Sequence, residues 1–345
     1  MAKSAEAGSD VDTRPVVSKE VTLESEGVKL HAVLWQRDPL PQDPDSKRKV
    51  KEGAPEAPPR AWCILSPGLL SDHREFGDLP RLLAEAGFGA LAIDHKGHGK
   101  SEGTRGMFTL DSMVSDIEAA KRYLRNMEEQ WDLNAQQLCL IGHSLGAVAA
   151  LKAGQTGLYN GDHVIAAAPF RTIAEEIGPL RRLGYRLAYA LRGGKAEKGK
   201  ATLAYDVDYH DILEDPRARD NAKQIGFLER RIPIDNYPEL MSIDGEEIAR
   251  KVMDPTVLII AASKDKVVSN RASRALYDAV PSAKQWWLIE GSGHSMFLDG
   301  RRQVVCDRII AYLKPRLSFF SEVMPGSTKR ADLPANAQPV VAPKQ

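Results

Sequence analysis

Gln137-Leu138-Cys139-Leu140-Ile141-Gly142-His143-Ser144-Leu145-Gly146-Ala147-Val148-Ala149-Ala150 is the stretch from which the rest of the chain can be read. An apolar run of strand type ends at Gly142, and an Ala-rich run of helical type follows Ser144. Gly142 and Gly146 bracket the serine at the spacing G-x-S-x-G. Glycines there permit a sharp, strained turn that lifts a serine hydroxyl above a sheet, with backbone N–H groups of a helix N-terminus beside it. A bare G-x-S-x-G is often only a glycine-rich turn. In this strand–turn–helix setting Ser144 reads as a nucleophile.

A serine needs a base to take its proton, and the base needs an acid to fix its tautomer. The chain order expected for such a turn is Ser, then Asp or Glu, then His. Of the histidines after Ser144, His210 and His294 are the candidates. His294 follows the strand-like KQWWLIE (284–290) in a glycine-flanked loop, and it reads as the base. Asp265 directly follows TVLIIA (256–261) and reads as the acid. Asp254 precedes that strand, at the opposite sheet edge, and Asp299 is expected to cap the next helix. A tetrahedral intermediate also needs two donors for its oxyanion. The N–H of Leu145 is one, and the loop Ser66-Pro67-Gly68-Leu69-Leu70 should supply the other from Leu69.

The strand-like runs are in all AWCILS (61–66), GALAID (89–94), QLCLIG (137–142), HVIAAA (163–168), TVLIIA (256–261) and KQWWLIE (284–290). Apolar on both faces, they belong to a buried parallel sheet. Between them Leu79, Leu82 and Leu83, then Leu110, Met113, Ile117 and Leu124, recur at helical spacing. VSKEVTLES and VKLHAVLWQ alternate around Glu26-Gly27 as an antiparallel hairpin. The expected architecture is α/β: a doubly wound, mostly parallel sheet with a helical cap insertion. The expected division is a disordered tail over 1–17, a first core segment over 18–169 with a Pro/Lys-rich loop over 38–60, and a helical cap over 170–250. A second core segment over 251–317 and a disordered tail over 318–345 complete it. The cap segment holds no convincing strand.

These residues resemble the α/β-hydrolase superfamily, and within it the monoacylglycerol lipase, lysophospholipase and serine aminopeptidase S33 branch. The likeness runs over about residues 20–315. It rests on PGLLSDHREF, on Asp94-His95-Lys96-Gly97-His98-Gly99-Lys100-Ser101 (similar to D-x-R-G-H-G-x-S), on GHSLG, SKDKVV and GSGH. The chain departs from the pattern at Pro67, where His is usual, and at Lys96, where Arg is usual. Proline lacks an N–H, but the expected donor lies beyond Gly68. His95 and His98 stand at metal-pair spacing with no third ligand nearby, so they read as a turn packed beside the site.

The 345 residues carry 47 basic and 47 acidic side chains, which leaves no general field for nucleic acid. Cys63, Cys139 and Cys306 are too few and too widely spaced for a disulfide framework or a zinc site, and suit buried free thiols in a reducing cytoplasm. The N-terminal stretch lacks a secretory h-region. The uncharged run Leu133–Leu151 is broken by Asn134, Gln136, Gln137, His143 and Ser144, so no membrane span is expected. In IGPLRRLGYRLAYALR, Leu180, Leu183, Leu187 and Leu191 form one stripe, with Arg181, Arg182 and Arg186 mostly elsewhere. Two readings stand: a cap helix burying its leucines against the sheet, or a lid meeting acyl chains and anionic lipid headgroups. The expected activity is hydrolysis of carboxylic esters with a lipophilic acyl group, without cofactor or metal, in the cytoplasm or peripherally at a membrane surface. A thioesterase, an aminopeptidase or amidase, an acyltransferase and a non-catalytic binding protein are the alternatives.

Overall fold

Glu26 and Gly27 both take positive φ, 52° and 77°, a two-residue turn whose twist matches that of the strands it joins. It links β1 (Val16–Ser25) to β2 (Val28–Arg37) in register from Ser25↔Val28 to Val16↔Arg37. The computed structural model describes residues 14–38, 61–130, 137–156, 162–192, 199–204 and 207–317. Residues 1–13 and 318–345 of the expected tails, and 39–60 of the Pro/Lys-rich loop, lie outside the described residues.

The chain continues through β3 (Ala61–Ser66), α1 (Leu79–Glu85), β4 (Gly89–Ile93), α2 (Leu110–Gln130), β5 (Gln137–His143), α3 (Leu145–Ala153) and β6 (His163–Ala167). The cap segment carries α4 (Ile173–Glu176), α5 (Pro179–Arg192), β7 (Thr202–Ala204), α6 (Tyr209–Ile212), α7 (Pro216–Ile225), β8 (Arg231–Pro233), α8 (Tyr237–Ser242) and α9 (Gly245–Arg250). Then β9 (Thr256–Ala262), α10 (Asn270–Ala279), β10 (Lys284–Ile289) and α11 (Arg302–Leu317) complete the core. The main sheet runs β1-β2-β4-β3-β5-β6-β9-β10, and only β2 is antiparallel to its neighbours.

Alternate residues of the central strands are buried on opposite faces. Trp62 and Ile64 of β3 pack with Ile117 of α2 and Val148 of α3, while Cys63 and Leu65 pack with Leu79 and Leu83 of α1 and Ile309 of α11. Each fully buried Leu or Ile contributes about 1.5–3 kcal/mol relative to exposure, so these strands are the most firmly held part of the fold. The chain moves from β3 outward to β4, then returns to the other side of β3 as β5. Loops at the carboxyl ends of β3 and β5 therefore diverge, which opens a crevice of the kind where open α/β sheets bind ligands.

Four sequence expectations are corrected. The cap holds a short antiparallel ribbon, β7 with β8 in register Thr202↔Pro233, and three-residue strands are too short to show a period. β10 is an edge strand, only partly buried; Trp287 packs edge-on against Tyr312 at 5.6 Å, under Arg308 at 4.6 Å. Asp299 does not cap α11, which begins at Arg302. Its buried carboxylate instead accepts the N–H groups of Gly293, Asp215 and Gly300 at 2.6, 2.9 and 2.8 Å. Finally, the leucine stripe of α5 is not buried against the sheet: Leu180 and Leu191 are 82% and 84% exposed. The helix rests on its other side, where Tyr189 meets Tyr237 at 5.8 Å. Amphipathic spacing shows that a helix has an apolar face, and it does not show what that face meets.

Candidate active site

Ser144 joins β5 to α3 with φ 54° and ψ −119°, a strained conformation for a non-glycine residue. Its N–H donates to Ala167 O at 2.8 Å, which anchors the strained residue to β6. The flanking glycines are required by contact rather than by their own φ. A Cβ on Gly142 would lie 2.2 Å from Gly146 O, and one on Gly146 would lie 2.1 Å from Ser66 O and 2.3 Å from Pro67 O.

Asp265 and His294, far apart in sequence, meet at the carboxyl ends of β9 and β10. Asp265 Oδ2 accepts from His294 Nδ1 at 2.8 Å, while Oδ1 accepts the N–H groups of Val267 and Val268 at 2.9 and 2.8 Å. Burial pushes the Asp265 carboxyl up, but His294 and those two amides outweigh it and hold it below its usual value. Its carboxylate keeps a proton on Nδ1 of His294, which leaves Nε2 as the free basic atom. Gly293 is tied to Asp299, and Ser295 N–H donates to Ile212 O at 2.8 Å, so the loop of His294 is clamped from both sides. His210 is exposed at the start of α6, and Asp254 is exposed before β9; neither approaches the pocket. His294 and Ser144 line one pocket, though no hydrogen bond joins them among the described residues. Such bonds commonly tighten only when substrate is bound.

The donor loop follows β3. Leu69 lines the pocket and Leu145 opens α3, and the N–H of neither is taken by an acceptor among the described residues. Gly68 N–H, by contrast, donates to Glu75 Oε2 at 2.8 Å. Glu75 Oε1 lies 2.9 Å from His143 Nδ1, and His143 Nε2 donates to the carbonyl of His294 at 2.9 Å. Burial alone would raise Glu75 and lower His143. Their mutual attraction outweighs burial in both, holding Glu75 below its usual value and His143 above. Sequence reading passed over both residues: Glu75 sits in the short turn His73–Phe76 and resembles a solvated acid, and His143 occupies the variable position beside the serine.

The pocket encloses about 310 Å³ of empty space, its open mouth included. Val207, Ile212, Phe227 and Leu228 bring the cap over Ser144, and Val267 closes the side toward Asp265. His95 binds Ser66 Oγ at 2.8 Å and Asp116 Oδ2 at 3.2 Å, and His98 donates to Lys96 O at 2.8 Å. These partners make the turn a brace behind the donor loop. Lys96 itself pairs with Glu26 and faces Asp116 at 3.6 Å, linking the brace to the hairpin. Among the described residues, one cluster has donor atoms close enough for a metal ion: His31, His73 and Asp94, within 4.8 Å of one another. Asp94 there accepts both imidazole Nδ1–H groups, at 2.9 and 2.8 Å, and two backbone N–H groups, so internal hydrogen bonds account for it.

All three cysteines are buried and free, and burial pushes the Cys306 thiol up to about 12. No helix among the described residues is long and apolar enough to cross a membrane.

Comparison with known proteins fits this geometry. The chain is 23% identical over 287 residues to an uncharacterized abhydrolase domain-containing protein of Dictyostelium discoideum, covering 81% of this chain but 29% of that protein. It therefore spans less than a third of that relative's length. It is 23% identical over 270 residues to a Mycolicibacterium smegmatis protein named monoacylglycerol lipase, covering 76% of this chain and 91% of that one. Among solved structures, a soluble variant of monoglyceride lipase from Saccharomyces cerevisiae in complex with a substrate analog superposes with TM-score 0.68 at 17% identity. That match covers 90% of this chain and 99% of the other. The same mostly parallel sheet and cap are present in both. The profile of the family described as serine aminopeptidase, S33, matches residues 57–301. Covering most of the chain, including the elbow serine and the loop of His294, that match makes this protein a member of the serine aminopeptidase S33 family of α/β-hydrolases.

Proposed function

We propose that this protein hydrolyses carboxylic esters with a lipophilic acyl group, of monoacylglycerol or lysophospholipid type, through an acyl-enzyme on Ser144. His294 Nε2 takes the serine proton as Oγ attacks the carbonyl carbon, and Asp265 steadies the imidazolium. The N–H groups of Leu69 and Leu145 receive the developing oxyanion. The tetrahedral intermediate collapses, the alcohol leaves with the proton held by His294, and water resolves the acyl-enzyme through the same base. A lipase-named relative, matched over 91% of its own length, supports this reading.

The observation that carries it is the pocket wall: six apolar side chains, and a single carboxylate, Glu75, already engaged by Gly68 and His143. An aminopeptidase needs a free acidic group to hold a substrate ammonium. Glu175 pairs with Arg171, Glu176 accepts from Ser269, and Glu214 pairs with Lys266 at 2.6 Å. On 4-nitrophenyl esters of increasing chain length, the rate is expected to peak at about eight carbons or more, since each buried CH₂ adds roughly 0.8 kcal/mol of binding. A peak at two to four carbons, or faster cleavage of aminoacyl 4-nitroanilides, would overturn the proposal.

The outward leucine stripe supports a second element, contact with an anionic lipid surface. Leu180 and Leu191 are almost fully exposed and Arg181 and Arg186 flank the stripe, an arrangement suited to lying in a headgroup layer. Leu180→Ser with Leu191→Ser is expected to weaken binding to anionic phospholipid vesicles about 10- to 100-fold. Turnover of a soluble short ester should hold. Equal vesicle binding by variant and parent would remove this element.

A further inference from the structure

We infer that Glu75 is a positioning residue whose one buried carboxylate sets both the oxyanion-donor loop and the loop of the base around Ser144. This rests on the serine-hydrolase reading above and goes beyond it. Glu75 is itself held in place: it sits in a turn capped by Asp72, with Phe76 fully buried beside it and His73 N–H bound to Asp94 at 2.8 Å. From that fixed point its two oxygens reach in different directions.

Oε2 takes the N–H of Gly68 at 2.8 Å. With Pro67 lacking an N–H and Gly68 committed to Glu75, the first free donor of the loop is that of Leu69, at the pocket wall. A Cβ on Gly68 would stand 3.2 Å from Ser144 Cβ, so a small drift of this loop changes the distance between donor and nucleophile. Oε1 faces His143 Nδ1 at 2.9 Å, and His143 Nε2 holds the carbonyl of His294 at 2.9 Å. His143 and His294 stack obliquely, ring centres 4.7 Å apart. Donor, nucleophile and base thus sit on three different strand ends and share one buried anchor. Both oxygens of Glu75 are spent on protein partners, so the effect is expected in the geometry of the transition state more than in binding.

Three substitutions separate reach from charge. Glu75→Gln can keep every contact: its carbonyl accepts from Gly68, and its amide N–H donates to a neutral His143. Glu75→Asp keeps the charge but is one methylene too short to span both partners. Glu75→Ala removes both. The expected result is a kcat loss of about 100-fold for Asp and Ala with KM within threefold, as for a misplacement of about 1 Å. Gln is expected to restore kcat to within about tenfold of the parent. The rate at which a 4-nitrophenyl phosphonate labels Ser144 should fall in the same order, since that adduct also places an oxygen in the donor loop. Melting temperatures are read alongside. If Ala does not fold, Asp against Gln carries the test.

Retention of kcat within threefold by Asp and Ala would overturn the inference, as would a loss confined to KM or a Gln variant as impaired as Asp. A different result marks failure of the underlying reading: turnover by Ser144→Ala equal to that of the parent, whatever Glu75 does.

Discussion

Ser144→Ala is expected to lower kcat on a lipophilic ester about 10⁴-fold or more, with the protein folded and KM little changed. Removing the nucleophile of a serine hydrolase leaves only what the oxyanion donors and binding provide, so the loss is of the order of the whole covalent route. At 1.36 kcal/mol per decade, 10⁴-fold is about 5.4 kcal/mol of transition-state stabilisation. The parent should show a burst of 4-nitrophenolate equal to the enzyme concentration when deacylation is slow, and the variant should show none. Asp265→Asn belongs beside it. An asparagine can offer N–H to His294 Nδ1, which favours the tautomer with the proton on Nε2 and blocks the base. A loss of about 10³- to 10⁴-fold is expected there, with Ser144 still present. Turnover by Ser144→Ala within tenfold of the parent would remove Ser144 from the chemistry. Loss for Ser144 with no loss for Asp265 would leave the nucleophile and reassign the acid.

The contrast between these residues and Glu75 tells what a sequence can carry. Ser144, Asp265 and His294 are legible because each follows a strand whose apolar run can be recognised, and the carboxyl ends of parallel strands converge on one edge of the sheet. Chain order and topology then bring Asp265 and His294 to 2.8 Å. The six parallel strands are legible for the same reason, with ends that agree to within a residue. Glu75 is not legible, since nothing local distinguishes a buried glutamate in a four-residue turn from a solvated one. Its role is visible only once Gly68 and His143, seven and 68 positions away, lie against it. Asp299 fails in the same way. It stands just before a helix, where a cap is the local expectation, but its partners include amides of the cap segment 84 and 85 positions away. The stripe of α5 was legible as a stripe, while its direction depends on which face Tyr189 and its neighbours occupy. Local pattern fixes type and period; burial of a charge or exposure of a leucine is a tertiary outcome.

Gly146→Ala is expected to be among the most damaging single methyls in the described residues. In most helices alanine is the better residue by about 1 kcal/mol, and Gly184 in α5, with nothing within 4 Å of its would-be Cβ, should gain roughly that amount on substitution. At Gly146 the same methyl would lie 2.1 Å from Ser66 O and 2.3 Å from Pro67 O, and both are backbone atoms at the end of β3. No rotamer relieves such a contact, so either α3 or the donor loop must move. Overpacking of this kind costs about 3 kcal/mol or more, which for a domain of about 300 residues lowers the melting temperature by roughly 5 °C. The activity should fall further than the stability, since the displaced loop is the one carrying Leu69. A shift of about 1 Å there costs roughly 100-fold in rate even in molecules that remain folded. Thermal melts and kcat on Gly146→Ala and Gly184→Ala, measured side by side, test this. Equal effects of the two would mean that close approach of α3 to the β3 loop is not what the first glycine is for.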